Sequence, residues 1–338
     1  MNTNSYSFPL ELVRLSAEGR GKVLICPLNW GLGHATRCVP IIRKLITDGH
    51  QIVLVGDGYP LQFLKLEFPT LRTIELPSYY IKYSAGKSQI GAMIISFPRV
   101  IFGAIKEHFW LKKFLQKEHF DQIISDNRFG MWCNKVHSIY ITHQLMVKMP
   151  KGLKFMESFV HSIHKAIIVQ YDECWIPDCK ENGALSGDLS HKYTLPDNAT
   201  FIGTLSRFQG MESTIPSTEY EVVAIISGVE PQRTLFEESI IEKYQNSNCK
   251  VLIIRGQPQR EKEETHINNI TLTSHLSSLE IVSKLLGAKE IISRSGYSTI
   301  MDLDALNCLH KAVFIPTPGQ TEQEYLFSIH TSQLIGHN

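Results

Sequence analysis

Lys22-Val-Leu-Ile-Cys-Pro-Leu28 is followed by Gly31-Leu-Gly33-His34-Ala-Thr-Arg37 and then by Val39-Pro-Ile-Ile-Arg-Lys-Leu-Ile46. The first run is continuously apolar and short, the pattern of a buried strand. The last has apolar residues at helical spacing. A glycine turn between a buried strand and a helix start leaves bare backbone N–H groups at the carboxyl edge of a sheet, a ready place for an anionic or polar ligand. His34 adds a side chain that exchanges a proton near neutral pH.

Outward from this unit, strand and helix signals alternate. Gln51–Gly56 reads as a second strand ending at Asp57-Gly58, followed by a helix over Pro60–Phe68 and a short strand at Arg72–Leu76. Gln122–Ser125 is a strand that ends in Asp126-Asn127-Arg128. Ser138–Thr142 ends in His143-Gln144, and Glu173–Ile176 leads to Pro177-Asp178. Such units predict a mostly parallel sheet covered by helices. The pattern restarts at Glu221–Ile226 and continues with strands at Lys250–Ile254, Asn269–Thr273, Glu290–Ser293 and Lys311–Ile315. The expected class is therefore α/β, with two doubly wound, Rossmann-like domains facing across a cleft. Residues 1–20 form an extension, 21–207 the first domain, 208–218 a polar linker and 219–338 the second domain.

Three loops of the second domain carry chemistry. Ser227-Gly228 follows a strand, and Gln232-Arg233 opens a helix. The loop's N–H groups, the Ser227 hydroxyl and Arg233 could hold a diphosphate. Arg294-Ser295-Gly296-Tyr297-Ser298-Thr299 turns from a strand into a helix that carries Asp302. A carboxylate so placed can accept both hydroxyls of a ribose, as acidic residues do in nucleotide sites. Gln320, Gln323 and Glu324 open the last helix after Pro316-Thr317-Pro318-Gly319, where paired amide and carboxylate groups can read sugar hydroxyls. The same residues also suit plain β–α turns and capped helices.

Composition narrows the class. At 338 residues the chain suits two domains, and 43% hydrophobic with 20% charged residues is a globular balance. A formal net charge of +1 argues against nucleic acid held by bulk charge. The seven cysteines are scattered without a C-x-x-C pair, which suits reduced thiols in a cytoplasmic protein. Residues 1–21 lack the apolar core of a signal peptide, and no run of 18 apolar residues occurs.

Together these motifs resemble inverting glycosyltransferases of the GT-B fold, and within them the MurG-like family that adds GlcNAc to a lipid-linked acceptor. The resemblance spans about residues 21–327. Gly31, Gly33 and His34 match the family's Gly-Gly-His loop beside acceptor and diphosphate, with Asn127 and His143 at neighbouring strand ends. Phe201-Ile-Gly-Thr-Leu-Ser-Arg207 places Arg207 where the family has an arginine for the donor diphosphate. Ser227, Gly228 and Gln232 resemble its Gly-Gly-Ser-Gln loop at a different spacing. Arg294, Gly296 and Asp302 match its Arg-x-Gly loop with a downstream acid, while Gln323 and, less closely, Glu324 match its paired glutamines. The resemblance implies a nucleotide-diphosphate sugar as co-substrate, UDP-GlcNAc-like, bound mostly by the second domain. It also implies a hydroxyl acceptor on the first domain, no essential metal and no other cofactor. A nucleotide-sugar 2-epimerase and a catalytically silent sugar-nucleotide-binding subunit are the alternatives.

His34 is the first choice as general base. Asp126 could orient it or act alone, and His143 is a third candidate. Residues 89–117 are apolar with Arg99, Lys106, Lys112, Lys113 and Lys117 interspersed, and Pro98 is expected to break them. They suit either a helix on an anionic membrane surface, peripheral on the inner face, or a core-packed helical hairpin. GT-B enzymes carry a final helix that crosses back onto the first domain. Only Tyr325–Asn338 remains for it, about 20 Å if wholly helical, so looser domain closure is expected.

Overall fold

The computed structural model describes residues 21–78, 90–181, 183–228, 230–258 and 261–335; the expected extension at 1–20 lies outside them. The first sheet has seven parallel strands: β1 (Lys22–Pro27), β2 (Gln51–Gly56), β3 (Arg72–Glu75), β4 (Gln122–Asp126), β5 (His137–Ile141), β6 (Glu173–Ile176) and β7 (Ala199–Phe201). Their order is β3-β2-β1-β4-β5-β6-β7. The second sheet holds β8 (Val222–Ile225), β9 (Val251–Ile254), β10 (Glu264–Ile267), β11 (Ile270–Thr273), β12 (Glu290–Ser293) and β13 (Ala312–Phe314). Its order is β10-β11-β9-β8-β12-β13, and β10 alone runs antiparallel to its neighbour. Val23, Leu24 and Ile25 are all fully buried, as a strand covered by helices on both faces requires.

The helices are α1 (Gly33–Thr47), α2 (Gly58–Glu67), α3 (Ile90–Leu115), α4 (Glu157–Ile168), α5 (Asp188–His191), α6 (Gln232–Tyr244), α7 (Ser278–Gly287), α8 (Tyr297–Ala305) and α9 (Thr321–Ile335). In α1, Cys38, Ile41, Ile42 and Leu45 form the apolar stripe that seats it on the sheet. Both sheets change direction at one point, between β1 and β4 and between β8 and β12. The glycine loop and Asp126 stand at the first of these points. Ser227-Gly228 and Arg294-Ser295-Gly296 stand at the second. Such switch points are where open α/β sheets bind ligands.

Two expectations change. α3 runs as one helix through Pro98, so residues 90–115 are neither broken there nor folded as a hairpin. A proline in a helix gives up its N–H bond and crowds the carbonyl four residues before it, but the helix continues on either side. The short last helix, from which looser closure was expected, does cross: α9 itself reaches the first domain. Thr321 Oγ1 donates to the Lys148 carbonyl at 2.6 Å, the Tyr325 hydroxyl accepts from the Asp188 N–H at 2.7 Å, and His330 Nε2 donates to the Leu185 carbonyl at 2.9 Å. Leu185 and Leu189 are buried in the same apolar cluster as Val223, Leu252 and Leu326. The stretch 208–218, expected as a linker, lies along α7, with the Ser217 N–H on the Ser283 carbonyl at 2.8 Å.

Candidate active site

A cleft of about 1130 Å³ lies between the two sheet edges. Its floor is the start of α1. Gly31 has φ +102°, a left-handed conformation that glycine adopts without strain. Gly33 meets the second domain directly: Ser298 Oγ donates to its carbonyl at 3.0 Å, and a Cβ on residue 33 would lie 2.8 Å from that oxygen.

His34 occupies the first turn of α1 with its side chain 12% exposed. Its Nδ1 lies 2.7 Å from Asp126 Oδ1 and 2.8 Å from Arg37 Nη2. Arg37, one helical turn on, bonds both carboxylate oxygens of Asp126, and both groups are buried. Asp126 only accepts and Arg37 only donates, so the two compete for Nδ1: pairing with Asp126 puts the His34 proton on Nδ1 and leaves the Nε2 lone pair free, whereas the Arg37 contact needs the lone pair on Nδ1. Nε2 has no partner among the described residues, and the ring lines the cleft. Burial, reinforced by the Arg37 charge, pulls the His34 pKa below 6.5 against the opposing pull of Asp126. Burial alone would raise Asp126. The charges of Arg37 and His34 and the hydrogen bonds from both outweigh it and hold the carboxyl below its usual range. The imidazole is therefore neutral and the carboxylate ionised near pH 7.

His143, at the end of β5, completes this corner. Its Nδ1 is 3.0 Å from Arg37 Nη1 and its Nε2 is 2.8 Å from Glu322 Oε1 on α9. Its ring stacks on Tyr297 of α8, with centroids 4.3 Å apart and planes at 5°. Asn127, at φ +61°, accepts from the Tyr140 hydroxyl at 2.7 Å and faces the cleft.

The residues expected on the donor side divide into two groups. Ser227, Gly228, Gly296, Ser298 and Thr299 line the cleft, as do Arg207, Asp302, Gln320 and Gln323. Asp302 accepts from Ser206 Oγ at 2.6 Å and lies 3.6 Å from Arg207 Nε, so the expected ribose acid and diphosphate arginine hold each other across the domain junction. Burial raises the Asp302 carboxyl pKa although Arg207 opposes it, and burial lowers that of Arg207 although Asp302 opposes it. Gln323 Oε1 accepts from the Thr317 N–H at 2.8 Å, and its backbone carbonyl accepts from Ser295 Oγ at 2.8 Å.

The remaining predicted residues brace the loops from behind. Arg294 is 4% exposed, stacks over Phe236 and donates to the carbonyls of Ile315, Pro316 and Gln232. Burial lowers its pKa to about 10. Its guanidinium ties three loop ends together and does not face the cleft. Gln232 is buried beside it, Arg233 is held by Glu230 and the Arg255 carbonyl, and Glu324 caps the Gly319 N–H at 3.0 Å. Sequence reading missed Arg37 and Glu322. It also missed the wall formed by Lys262, His275, Leu276, Ser277 and Glu280. Arg37 had a signal, since it stands three residues after His34 on the same helix face.

The first-domain wall is apolar. Val100, Ile101, Ala104 and Ile105 of α3 face Leu153, Met156, Phe159 and Ile163 of the 3-10 turn Lys151–Met156 and α4. Phe102 and Phe109 of α3, Phe155 of the 3-10 turn and Phe159 of α4 are each more than 60% exposed. No helix among the described residues is long and apolar enough to cross a membrane.

Two Rossmann-like sheets with their switch points facing across one cleft are the GT-B fold, as the sequence led us to expect. No protein-family model matches the chain. It is 21% identical over 334 residues to an uncharacterized glycosyltransferase of Methanosarcina mazei, across 90% of this chain and 81% of the relative. The glycotransferase of kitacinnamycin superposes with a TM-score of 0.54 at 13% identity, covering 94% of this chain and 95% of that one. The calicheamicin glycosyltransferase CalG4 gives 0.55 at 11% identity, covering 92% and 84%. Arabidopsis thaliana UGT89C1 gives 0.55 at 13% identity, covering 94% and 84%, and that protein has been solved with UDP-L-rhamnose and with quercetin. At these identities the likeness to solved structures is one of fold.

Proposed function

We propose that the chain is an inverting glycosyltransferase that moves a sugar from a nucleotide diphosphate, UDP in the first instance, to a hydroxyl of an amphiphilic acceptor. The observation that carries this reading is the His34–Asp126 pair on a ring that lines the cleft; so paired, His34 carries its proton on Nδ1 and has Nε2 free to accept one. In the proposed step the acceptor O–H gives its proton to His34 Nε2 as its oxygen attacks the anomeric carbon. The bond from that carbon to the diphosphate oxygen breaks on the opposite face, and the electron pair leaves with the nucleotide diphosphate. Asp126 steadies the imidazolium that forms. Backbone N–H groups of Ser227-Gly228 and of the α8 start suit the charge that develops on the leaving group. The MurG-like assignment rests on Gly31, Gly33, His34, Gly296 and Asp302 at the spacing of that family.

Titration calorimetry with UDP, dTDP and GDP tests the donor. One nucleotide is expected to bind, and Asp302→Ala is expected to weaken it. Binding of none would remove the enzyme reading and leave the fold alone. Nucleotide binding without turnover on any hydroxyl acceptor would favour a silent binding subunit.

The apolar wall and the exposed phenylalanines on α3, the 3-10 turn and α4 favour a lipid-linked acceptor drawn from a membrane surface. Lys106, Lys112 and Lys113 are exposed on α3 beside Phe102 and Phe109, the composition of an interfacial helix. Sedimentation with vesicles containing phosphatidylglycerol should carry the protein down, and high salt should release part of it. Burying a phenylalanine side chain is worth about 1.5–3 kcal/mol when complete. The triple change Phe102→Ser, Phe109→Ser and Phe155→Ser is therefore expected to weaken vesicle binding by about tenfold or more.

A further inference from the structure

We propose that Arg37 and His143 are positioning residues that convey the seating of the second domain to His34. Glu322, His143, Arg37, Asp126 and His34 form one hydrogen-bonded line, so the base takes its working tautomer when the second domain is docked. This rests on the reading of His34 as the general base.

Donor and acceptor chemistry fixes the direction of the links from Glu322 to Asp126 and leaves two partners, Asp126 Oδ1 and Arg37 Nη2, competing at His34 Nδ1. The Glu322 carboxylate only accepts, so the proton of His143 must sit on Nε2, 2.8 Å away. Nδ1 of the same ring then carries a lone pair. Arg37 can only donate, and its Nη1 stands 3.0 Å from that lone pair. The other two guanidinium nitrogens are spent on Asp126, which in turn accepts from His34 Nδ1. A protonated His143 would turn an N–H toward the guanidinium, so the line holds with His143 neutral.

The second domain grips His143 on two sides, at its edge through Glu322 and on its face through Tyr297. Glu322 is fixed in turn by Gln144 Nε2 at 3.2 Å. Burial would raise its carboxyl pKa, but the hydrogen bond from His143 and the nearby Arg37 charge outweigh it and hold the carboxyl below its usual range. The groups that face His34 in this line are thus Arg37 from its own helix, Asp126 from β4, and His143 and Glu322 beyond them. If the second domain moves away, Glu322 and Tyr297 leave together. His143 is then free to turn or change tautomer, and Arg37 Nη1 loses its acceptor. Arg37 Nη2 already lies 2.8 Å from His34 Nδ1. A guanidinium released from His143 can strengthen that contact and donate to Nδ1 in place of the Nδ1–H bond to Asp126, which moves the His34 proton to Nε2 and blocks the base. The open enzyme would then not activate water against a bound donor.

The test reads the His34 ring directly, by nitrogen NMR of the full chain labelled at histidine. The unaltered protein should show His34 protonated at Nδ1 at pH 7, with a titration midpoint below 6.5. His143→Phe keeps a ring for Tyr297 and removes both nitrogens, while Glu322→Ala cuts the same line in the other domain. Each should give His34 a mixed tautomer, and the double variant should look like either single one. Glu322→Gln retains an acceptor oxygen for His143 and should restore the Nδ1–H form. His143→Phe should also lower kcat by about tenfold, the scale of 1.4 kcal/mol, with the donor KM unchanged. An unaltered His34 tautomer and midpoint in both single variants, or effects that simply add, would overturn the proposal. Should His143→Phe not fold, Glu322→Ala and Glu322→Gln decide it alone. A responsive tautomer combined with full turnover in His34→Ala would instead overturn the base reading and leave the line standing.

Discussion

Replacing His34 by alanine is expected to lower kcat by a factor of about 10² to 10⁴, the range a general base contributes, while nucleotide affinity stays as it was. The side chain is 12% exposed and its ring contacts are Asp126 and Arg37, which still bond each other without it, so the loss should appear chiefly in turnover and far less in the melting curve. The pH profile supplies a second signature. Neutral His34 is the working form, and its pKa in the folded chain lies below 6.5 because burial and Arg37 outweigh Asp126. Activity should therefore hold as pH falls to 6.5 and decline only below it, with a slope of one proton. The alanine variant should lose this acid limb along with the rate. A limb at or above pH 7 in the unaltered protein would mean that another group is the base. Asp126→Asn is a poorer probe. It leaves the buried Arg37 unpaired, and breaking a buried ion pair from one side costs about 3–5 kcal/mol, so lost activity would be entangled with lost fold.

The sequence made the strand–turn–helix units legible because parallel strands buried on both faces read as unbroken apolar runs. Lys22–Pro27, Gln51–Gly56 and Glu290–Ser293 are bounded almost as expected for that reason. β10 was missed because its four residues, Glu264–Ile267, are all exposed and carry no apolar period. The base pair was legible in outline, since His34 and Asp126 both follow strands that the topology places side by side: Pro27 and Asp126 are register partners. The donor loops were legible as loops, but not in the direction their side chains face. Arg294 shows the reason. An arginine after a strand reads as a phosphate ligand, yet here the nearest unsatisfied groups are backbone carbonyls of adjacent loops, and the guanidinium turns to them. Glu322 could not be found from sequence, because its partner His143 lies 179 residues away in the other domain.

Gly130→Ala should produce a large loss of stability, and its effect on function should be one-sided. Gly130 lies in the loop between β4 and β5 directly beneath α3. An added Cβ would fall well inside the contact distance of the Ala104 carbonyl oxygen and 2.8 Å from Glu107 Cβ. Backbone at that position cannot swing aside as a side-chain tip can, so α3 must lift. The same loop holds α3 by a buried ion pair: Arg128 Nε donates to Glu107 Oε1 at 2.8 Å, the Gly130 N–H donates to Glu107 Oε2 at 3.3 Å, and Arg128 also bonds the Leu76 carbonyl. Lifting the helix stretches these bonds in a place water does not reach. Overpacking alone typically costs about 1–3 kcal/mol, and weakened buried bonds add to it, so the melting temperature should drop by several degrees. Val100, Ile101, Ala104 and Ile105 on the displaced helix line the first-domain wall of the cleft, where the acceptor is proposed to sit, whereas Ser227, Gly228 and Asp302 belong to the other domain. The folded fraction should therefore bind nucleotide with unchanged affinity and show a raised acceptor KM. Thermal denaturation and calorimetry on the same preparation separate the two effects. A variant that melts normally would mean that α3 is not seated on Gly130. Nucleotide binding that falls together with acceptor use would mean that the two walls do not serve separate substrates.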